Sequence, residues 1–244
     1  MTTAIILQAR MGSTRLPGKV LLSIEGKTVL EHMLARLASV NGIDCLVVAT
    51  TINPIDLPIV SLADALGVSC FRGEEEDVLS RFYHAAMEAN ASCVVRCNAD
   101  CPLIDPQIVE HVVSTFLTNS ERFDYVSNIL SPTYPTGMHC EAFSFESLRQ
   151  AYTCAVDPLE REHVTPYIYR RPNLFRLHNV ALSCDLSAHR WTLDLLEDFE
   201  LITKIYKELY KDNPLFDMQS IIRLLEKNPD WSNINGHIIK SATV

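Results

Sequence analysis

Residues 4–19 read AIILQARMGSTRLPGK, a short apolar run followed at once by a loop that carries Gly12, Gly18 and the cations Arg10, Arg15 and Lys19. A brief, continuous apolar run predicts a buried strand of a parallel sheet. Open sheets of that kind bind ligands in the crevice beyond the carboxyl ends of their strands. Three positive side chains within ten residues therefore fall where a ligand would sit. Gly12 lets backbone approach a ligand closely, and successive N–H groups in such a loop can form an anion nest. The loop is not a P-loop, which requires G-x-x-x-x-G-K-[ST] opening a helix. Five residues separate Gly12 from Gly18, Val20 follows Lys19, and the next stretch, VLLSIEGK, is β-like. A solvated turn bearing ordinary surface cations is the competing reading.

Outward from this loop, β-rich runs alternate with helical patterns. Residues 4–9, 43–50, 68–71 and 92–98 predict buried strands; 28–40, 56–66, 76–89 and 106–118 predict amphipathic helices, the last starting at Pro106 with Asp105 as N-cap. That order specifies a parallel α/β sheet covered by helices on both faces. Beyond Asp124 the pattern loosens. Strands are expected in DYVSN, HCEAFSF, FRLHNVAL and HRWTLD, with a helical stretch over 146–171 broken near Pro158 and closing helices at 195–211 and 217–227. One domain over 1–244 is expected, with 125–185 as a looser insert suited to acceptor binding or dimer contacts.

Composition narrows the possibilities. Hydrophobic residues make up 48% of 244, enough for a sizeable core, and the net charge of −9 with no basic block argues against nucleic acid as a partner. No segment reaches the length of a membrane span, and Arg10 interrupts the N-terminal apolar run too early for a signal peptide. Most of the eight cysteines lie in apolar runs, so reduced, buried thiols and a cytoplasmic protein are expected.

The stretch ARMGSTRLPGKVLLSIEGKTVLEHMLARL (9–37) closely resembles the N-terminal segment of the cytidylyltransferases related to spore coat polysaccharide biosynthesis protein F, relatives of the CMP-Kdo and CMP-acylneuraminate synthetases. VVATT (47–51), RGEEEDVLSRF (72–82), RCNADCPLIDP (96–106), YPTGMHCEAF (134–143), EREHVTPYI (160–168) and RWTLDLLEDFE (190–200) match in order. The resemblance implies a three-layer α/β/α, nucleotide-diphospho-sugar transferase-like (Rossmann-like) fold with a mostly parallel sheet. It also implies transfer of CMP from CTP to a sugar acid with Mg²⁺ as cofactor, and a homodimer. Arg10, Arg15 and Lys19 would grip the triphosphate, and Ala9, Gly12, Ser13, Thr50, Asp77, Arg81 and Asn98 would line the nucleotide.

Asp100, just past the fourth strand, would repel a triphosphate unless a divalent cation lies between them. The resemblance makes Asp194 the second metal ligand beside Asp100. Tyr134, Gly137, Glu141, Glu160, Arg161, His163 and Arg190 are the expected acceptor-binding groups, with Arg161 and Arg190 suited to a carboxylate through bidentate bonds. Structural readings compete at several positions. Asp100 can be a loop residue bonding its own backbone, Asp194 a helix N-cap, EREHVT a charged helix start, and Glu74–Glu76, Glu197 and Asp198 first-turn acids favoured by the helix dipole. A sugar-1-phosphate nucleotidyltransferase, a glycosyltransferase of similar fold and a non-catalytic binding subunit are the rival functions.

Overall fold

A computed structural model describes residues 1–238. Chain order begins β1 (Thr3–Gln8), β2 (Ser23–Ile24), β3 (Lys27–Thr28), α1 (Val29–Leu37), β4 (Cys45–Thr51), α2 (Leu57–Ala65), β5 (Ser69–Gly73), α3 (Val78–Glu88), β6 (Cys93–Asn98) and α4 (Pro106–Thr118). It continues β7 (Tyr125–Ser127), β8 (Glu141–Ser144), α5 (Phe145–Cys154), α6 (Pro158–His163), α7 (Pro166–Tyr169), β9 (Leu177–Asn179), α8 (Leu196–Leu209) and α9 (Met218–Lys227).

Among the described residues the main sheet is seven-stranded, in the order β5-β4-β1-β6-β8-β7-β9. The strands β5, β4, β1 and β6 run parallel; β8 is antiparallel to β6 and β7, and β9 is parallel to β7. Strand alternation divides the core into two layers. Ile5, Leu7, Val48 and Val95 pack with α1, α2, α4, α8 and α9, whereas Ala4, Ile6, Val47 and Val94 pack with α3, α5 and the α6–α7 segment. The result is a three-layer α/β/α architecture with a mostly parallel sheet. Residues 125–185 add β7, β8 and β9 to the same sheet.

Local chemistry sets the element ends. Thr28 and Glu31 form a reciprocal capping box on α1, and Asp77 caps α3 through the Ser80 N–H at 2.9 Å. Lys19–Leu21 is a single 3₁₀ turn, after which β2 and β3 make a small hairpin, so VLLSIEGK is only partly strand. The 146–171 stretch breaks twice, because Pro158 and Pro166 each occupy the first turn of a new helix. Residues 189–194 do not form the expected strand. Their backbone is drawn into loops: Trp191 N–H donates to the Thr136 carbonyl and Leu193 N–H to the Asp100 carbonyl, both at 2.7 Å. Only one bridge, Thr136 with Arg190, is ladder-like. Gly137 permits that approach, since its φ is +102° and a Cβ there would lie 2.6 Å from the Trp191 carbonyl.

Cys93, Cys97, Cys101 and Cys140 are buried free thiols, with burial pushing Cys93 and Cys97 up to about 12. Cys45 and Cys70 are half-buried and Cys154 and Cys184 exposed, so the expected burial holds for four of the eight. Among the described residues no helix is long and apolar enough to cross a membrane.

Asp105 ties the front of the molecule to its C-terminal helices. Its carboxylate caps α4 at Gln107 N–H (2.9 Å) and accepts from Met218 N–H at the start of α9 (2.7 Å). Asp105→Ala removes a cap and orphans a buried donor, so a loss of about 2–3 kcal/mol in urea unfolding is expected. A change below about 0.5 kcal/mol, the range of ordinary surface substitutions, would contradict this account.

Candidate active site

The adjacent carboxyl ends of β1 and β6 open onto a cleft of about 330 Å³. Of the residues singled out from the sequence, Ala9, Arg10, Ser13, Arg15, Lys19, Asn98, Asp100, His163 and Asp194 line it. Gln8, Thr14, Val20, Glu75, Glu76, Val78, Arg96, Ala99 and Glu162 complete its wall.

The loop after β1 curls around one carbonyl. Ser13 and Gly18 both donate to the Met11 carbonyl, at 2.8 and 3.0 Å, and Gly18 turns with φ +68°. Met11 N–H is itself taken by the buried Asp56 carboxylate at 2.7 Å, which also accepts from Thr51 Oγ and so fixes the loop to the end of β4. These internal bonds consume N–H groups that a nest would use. The loop therefore addresses the cleft mainly through the side chains of Arg10, Ser13, Thr14, Arg15 and Lys19.

Lys19 is the meeting point of three distant segments. Its ammonium lies 2.7 Å from Asp100 Oδ2 and 2.8 Å from Asp194 Oδ1, and Arg15 reaches the same Asp194 oxygen at 3.1 Å. Burial works against the Lys19 charge, but Asp100 and Asp194 outweigh it and raise its pKa above the ordinary lysine value. Burial likewise disfavours the Asp194 anion, and here Lys19, then Arg15 and Arg190, prevail and lower its pKa. Arg10 pairs across the mouth with Glu75 at 3.4 Å.

Asp194 is held from behind. Arg190 donates from Nε and Nη2 to the two oxygens of Asp198, at 2.9 and 2.8 Å, and from Nη2 to Asp194 Oδ2 at 3.2 Å. Asp198 also accepts from the backbone N–H groups of Asp194 and Leu195, and Asn235 donates to Asp198 and to the Arg190 carbonyl. Asp198 is 0% exposed. It is a first-turn acid, as expected, and also a buried ion-pair partner, and it, not Asp194, supplies the carboxylate at the start of α8.

Several expected site residues are engaged elsewhere. Arg190 is committed to Asp198. Arg161 pairs with Asp77 and lies over the Tyr152 ring, and Glu160 is buried against Arg171 at 2.6 Å. Arg81 is buried and donates to the Glu74 and Glu75 carbonyls at 2.8 and 3.2 Å, bracing the loop that carries Glu75 into the cleft. Thr50, Tyr134 and Glu141 are buried, Gly137 packs on Trp191, and Gly12 abuts Glu75; none of these five lines the cleft. Conversely, Glu75 and Glu76 do line it. His163 faces the cleft, and its half-burial disfavours the imidazolium and lowers its pKa. The residues missed from sequence, Gln8 and Arg96, carry a detectable signal. Each is a polar interruption at an even spacing in an otherwise apolar strand, on the face shared with Asn98.

No group of three or more His, Cys, Asp or Glu side chains among the described residues converges to hold a metal. Two carboxylate oxygens gathered on one cation are nevertheless the donor set a Mg²⁺–nucleotide site uses, because the ion takes its remaining ligands from phosphate oxygens and water. Asp100 and Asp194 fit that requirement.

The fold is a three-layer one on a mostly parallel sheet, and the cationic loop and two carboxylates lie beyond the carboxyl ends of β1 and β6, where such sheets bind ligands. The cytidylyltransferase family model matches residues 4–234, and the chain belongs to that family. Spore coat polysaccharide biosynthesis protein SpsF of Bacillus subtilis is 31% identical over 232 residues, spanning 92% of this chain and 94% of its own. The 3-deoxy-manno-octulosonate cytidylyltransferase of Chlamydia trachomatis is 31% identical over 205 residues, spanning 80% of this chain and 78% of its own. The solved structure of a cytidylyltransferase from Leptospira borgpetersenii superposes with a TM-score of 0.92 at 34% identity, covering 99% of this chain and 100% of that one.

Two outcomes follow from the charge network. Because the Asp194 pKa is lower in the folded protein, its contribution to stability is complete above the unfolded value of about 3.9 and is lost as pH falls through the folded value. The stability difference between wild type and Asp194→Asn is thus expected to stay flat from pH 7 to about 4 and to shrink below it; a decline between pH 7 and 5 would contradict the pairing. Asp198→Ala breaks a buried pair and leaves the Arg190 guanidinium only its 3.2 Å contact with Asp194, and about 3–5 kcal/mol should be lost in denaturant titration.

Proposed function

We propose that the protein is a cytoplasmic, Mg²⁺-dependent cytidylyltransferase that transfers CMP from CTP to a sugar acid, releasing pyrophosphate and supplying a CMP-sugar for surface polysaccharide synthesis. One observation carries the reading: Lys19 joins Asp100 and Asp194 in the cleft that also holds Arg10 and Arg15. Membership of the cytidylyltransferase family supports CTP as the donor, and the names of the spore coat and octulosonate relatives support a sugar acid and a polysaccharide product.

In the reaction, an acceptor hydroxyl oxygen attacks the α-phosphorus of CTP, its proton passes to solvent, and the bond from that phosphorus to the bridging oxygen of pyrophosphate breaks. Arg10, Arg15 and Lys19 neutralise charge on the departing pyrophosphate, which is where positive groups act most strongly in phosphoryl-type transfers. Asp100 and Asp194 would hold the Mg²⁺, which when bound would supply polarisation of a phosphoryl oxygen and a lower pKa for a coordinated hydroxyl. Arg190, locked on Asp198, fixes the direction of the Asp194 carboxylate.

The test is pyrophosphate release from each of the four nucleoside triphosphates, with Mg²⁺ and a panel of 2-keto sugar acids. Release with CTP alone among the four, dependent on a sugar acid, is the expected result. Release with sugar 1-phosphates instead would overturn it. Lys19→Ala and Asp100→Asn should each lower turnover by ~10²-fold or more, as losing one electrostatic group commonly does.

A further inference from the structure

Four cationic side chains line the cleft among the described residues, and three of them, Arg10, Arg15 and Lys19, come from the loop after β1. The fourth, Arg96, stands apart on the sheet. It projects from β6 on the same face as Gln8 of β1 and Asn98, in registers that pair Gln8 with Asn98 and Arg96 with Glu141 of β8. Its Nη1 donates to Glu141, whose other oxygen accepts from the Tyr125 hydroxyl at 2.7 Å. The Glu141 carboxylate is thereby engaged on both oxygens, and the guanidinium is aimed by one of its nitrogens only.

Three buried polar atoms here have no hydrogen-bond partner: Arg96 Nε, Gln8 Oε1 and Asn98 Oδ1. Such atoms cost about 1–3 kcal/mol each when left unmet, and all three belong to residues on one wall of the cleft. The set has a definite chemistry. A guanidinium with an unused edge suits a carboxylate, and two amide oxygens suit hydroxyl donors beside it. His163 and the exposed Glu162 of α6 face the same space, the carboxylate an acceptor for hydroxyls at the mouth. The other arginines considered for this task are spent, Arg161 on Asp77 and Arg190 on Asp198.

We propose that Arg96, aimed by Glu141, is the specificity-determining residue for the acceptor, binding its carboxylate while Gln8 and Asn98 accept hydrogen bonds from its hydroxyls. The inference rests on the sugar-acid reading above and adds which residue reads the acid. Burial opposes the Arg96 charge, but Glu141 outweighs it, so the guanidinium keeps its charge throughout the working pH range. Selectivity for the acid then resides in a permanent cation and needs no titrating group.

The experiment measures kcat/KM for a panel of 2-keto sugar acids, 3-deoxy-manno-octulosonate among them, and for the C1 amide of each, in wild type, Arg96→Lys and Arg96→Ala. CTP affinity is measured in parallel by calorimetry. Wild type should favour acid over amide by ~10- to 100-fold, the worth of a charge-assisted hydrogen bond. Arg96→Ala should lose that preference through KM for the acceptor, Arg96→Lys should regain part of it, and CTP affinity should stay within about twofold of wild type. Folding of each variant is read from that retained CTP binding, and Arg96→Gln, which keeps polar bulk and removes the charge, serves if Arg96→Ala does not fold: it should lose the acid preference likewise. Equal losses on acid and amide, or an unchanged preference, would overturn the assignment, and so would a loss of CTP affinity alone. If wild type binds CTP but turns over no acid of the panel, the sugar-acid reading itself fails, a result distinct from any of these.

Discussion

The Lys19 ammonium shared by Asp100 and Asp194 is the contact on which the site's arrangement depends. It joins a loop near the start of the chain, the turn after β6 and the segment entering α8, none of which is near another in sequence. Two carboxylates this close would repel each other in a poorly solvated cleft; the lysine between them, with Arg15 at the edge, converts repulsion into attraction. The same balance describes what ligand the site suits. A polyphosphate accompanied by a divalent cation offers oxygens to the lysine and arginines and a positive centre to the aspartates, so each group exchanges one counter-charge for another.

Behind this contact the protein invests buried charge. Arg190 and Asp198 form a two-bond pair in the core, closed by Asn235 and by two backbone N–H groups. Buried pairs of this kind seldom add net stability over an apolar substitute, since desolvation consumes most of the attraction. What the pair does supply is direction, because Asp194 receives one hydrogen bond from the same guanidinium and cannot rotate without breaking it. The family match ends at residue 234, so the Asn235 side chain that completes the network comes from just beyond it.

The cleft has two chemically different walls. One is the internally bonded cationic loop, curled on the Met11 carbonyl and pinned by Asp56. The other is the rigid end of the sheet, where Gln8, Arg96 and Asn98 share one face by the two-residue period of a strand. Placing polar, incompletely satisfied atoms on strands rather than on loops gives them little freedom, and that suits recognition of a small ligand by shape and hydrogen bonding.

Much of this was legible in the chain alone. The first four sheet strands, the helices between them, Asp105 as the cap of α4 and the loop of Arg10, Arg15 and Lys19 follow from local patterns: apolar runs, helical periodicity and caps are properties of neighbours in sequence. The resemblance named the family from motifs read in order. Which arginine serves which purpose was not legible, because a guanidinium's role depends on whether a carboxylate from elsewhere reaches it first. Asp77 takes Arg161, Asp198 takes two nitrogens of Arg190, and Glu141 takes Arg96 through Nη1 alone, leaving its buried Nε without a partner on the cleft wall. The strand expected at 189–194 failed for a similar reason, its backbone groups being claimed by carbonyls of Asp100 and Thr136. Local order was written in the sequence; the partition of charge among distant partners was decided only when the sheet brought them within hydrogen-bond reach.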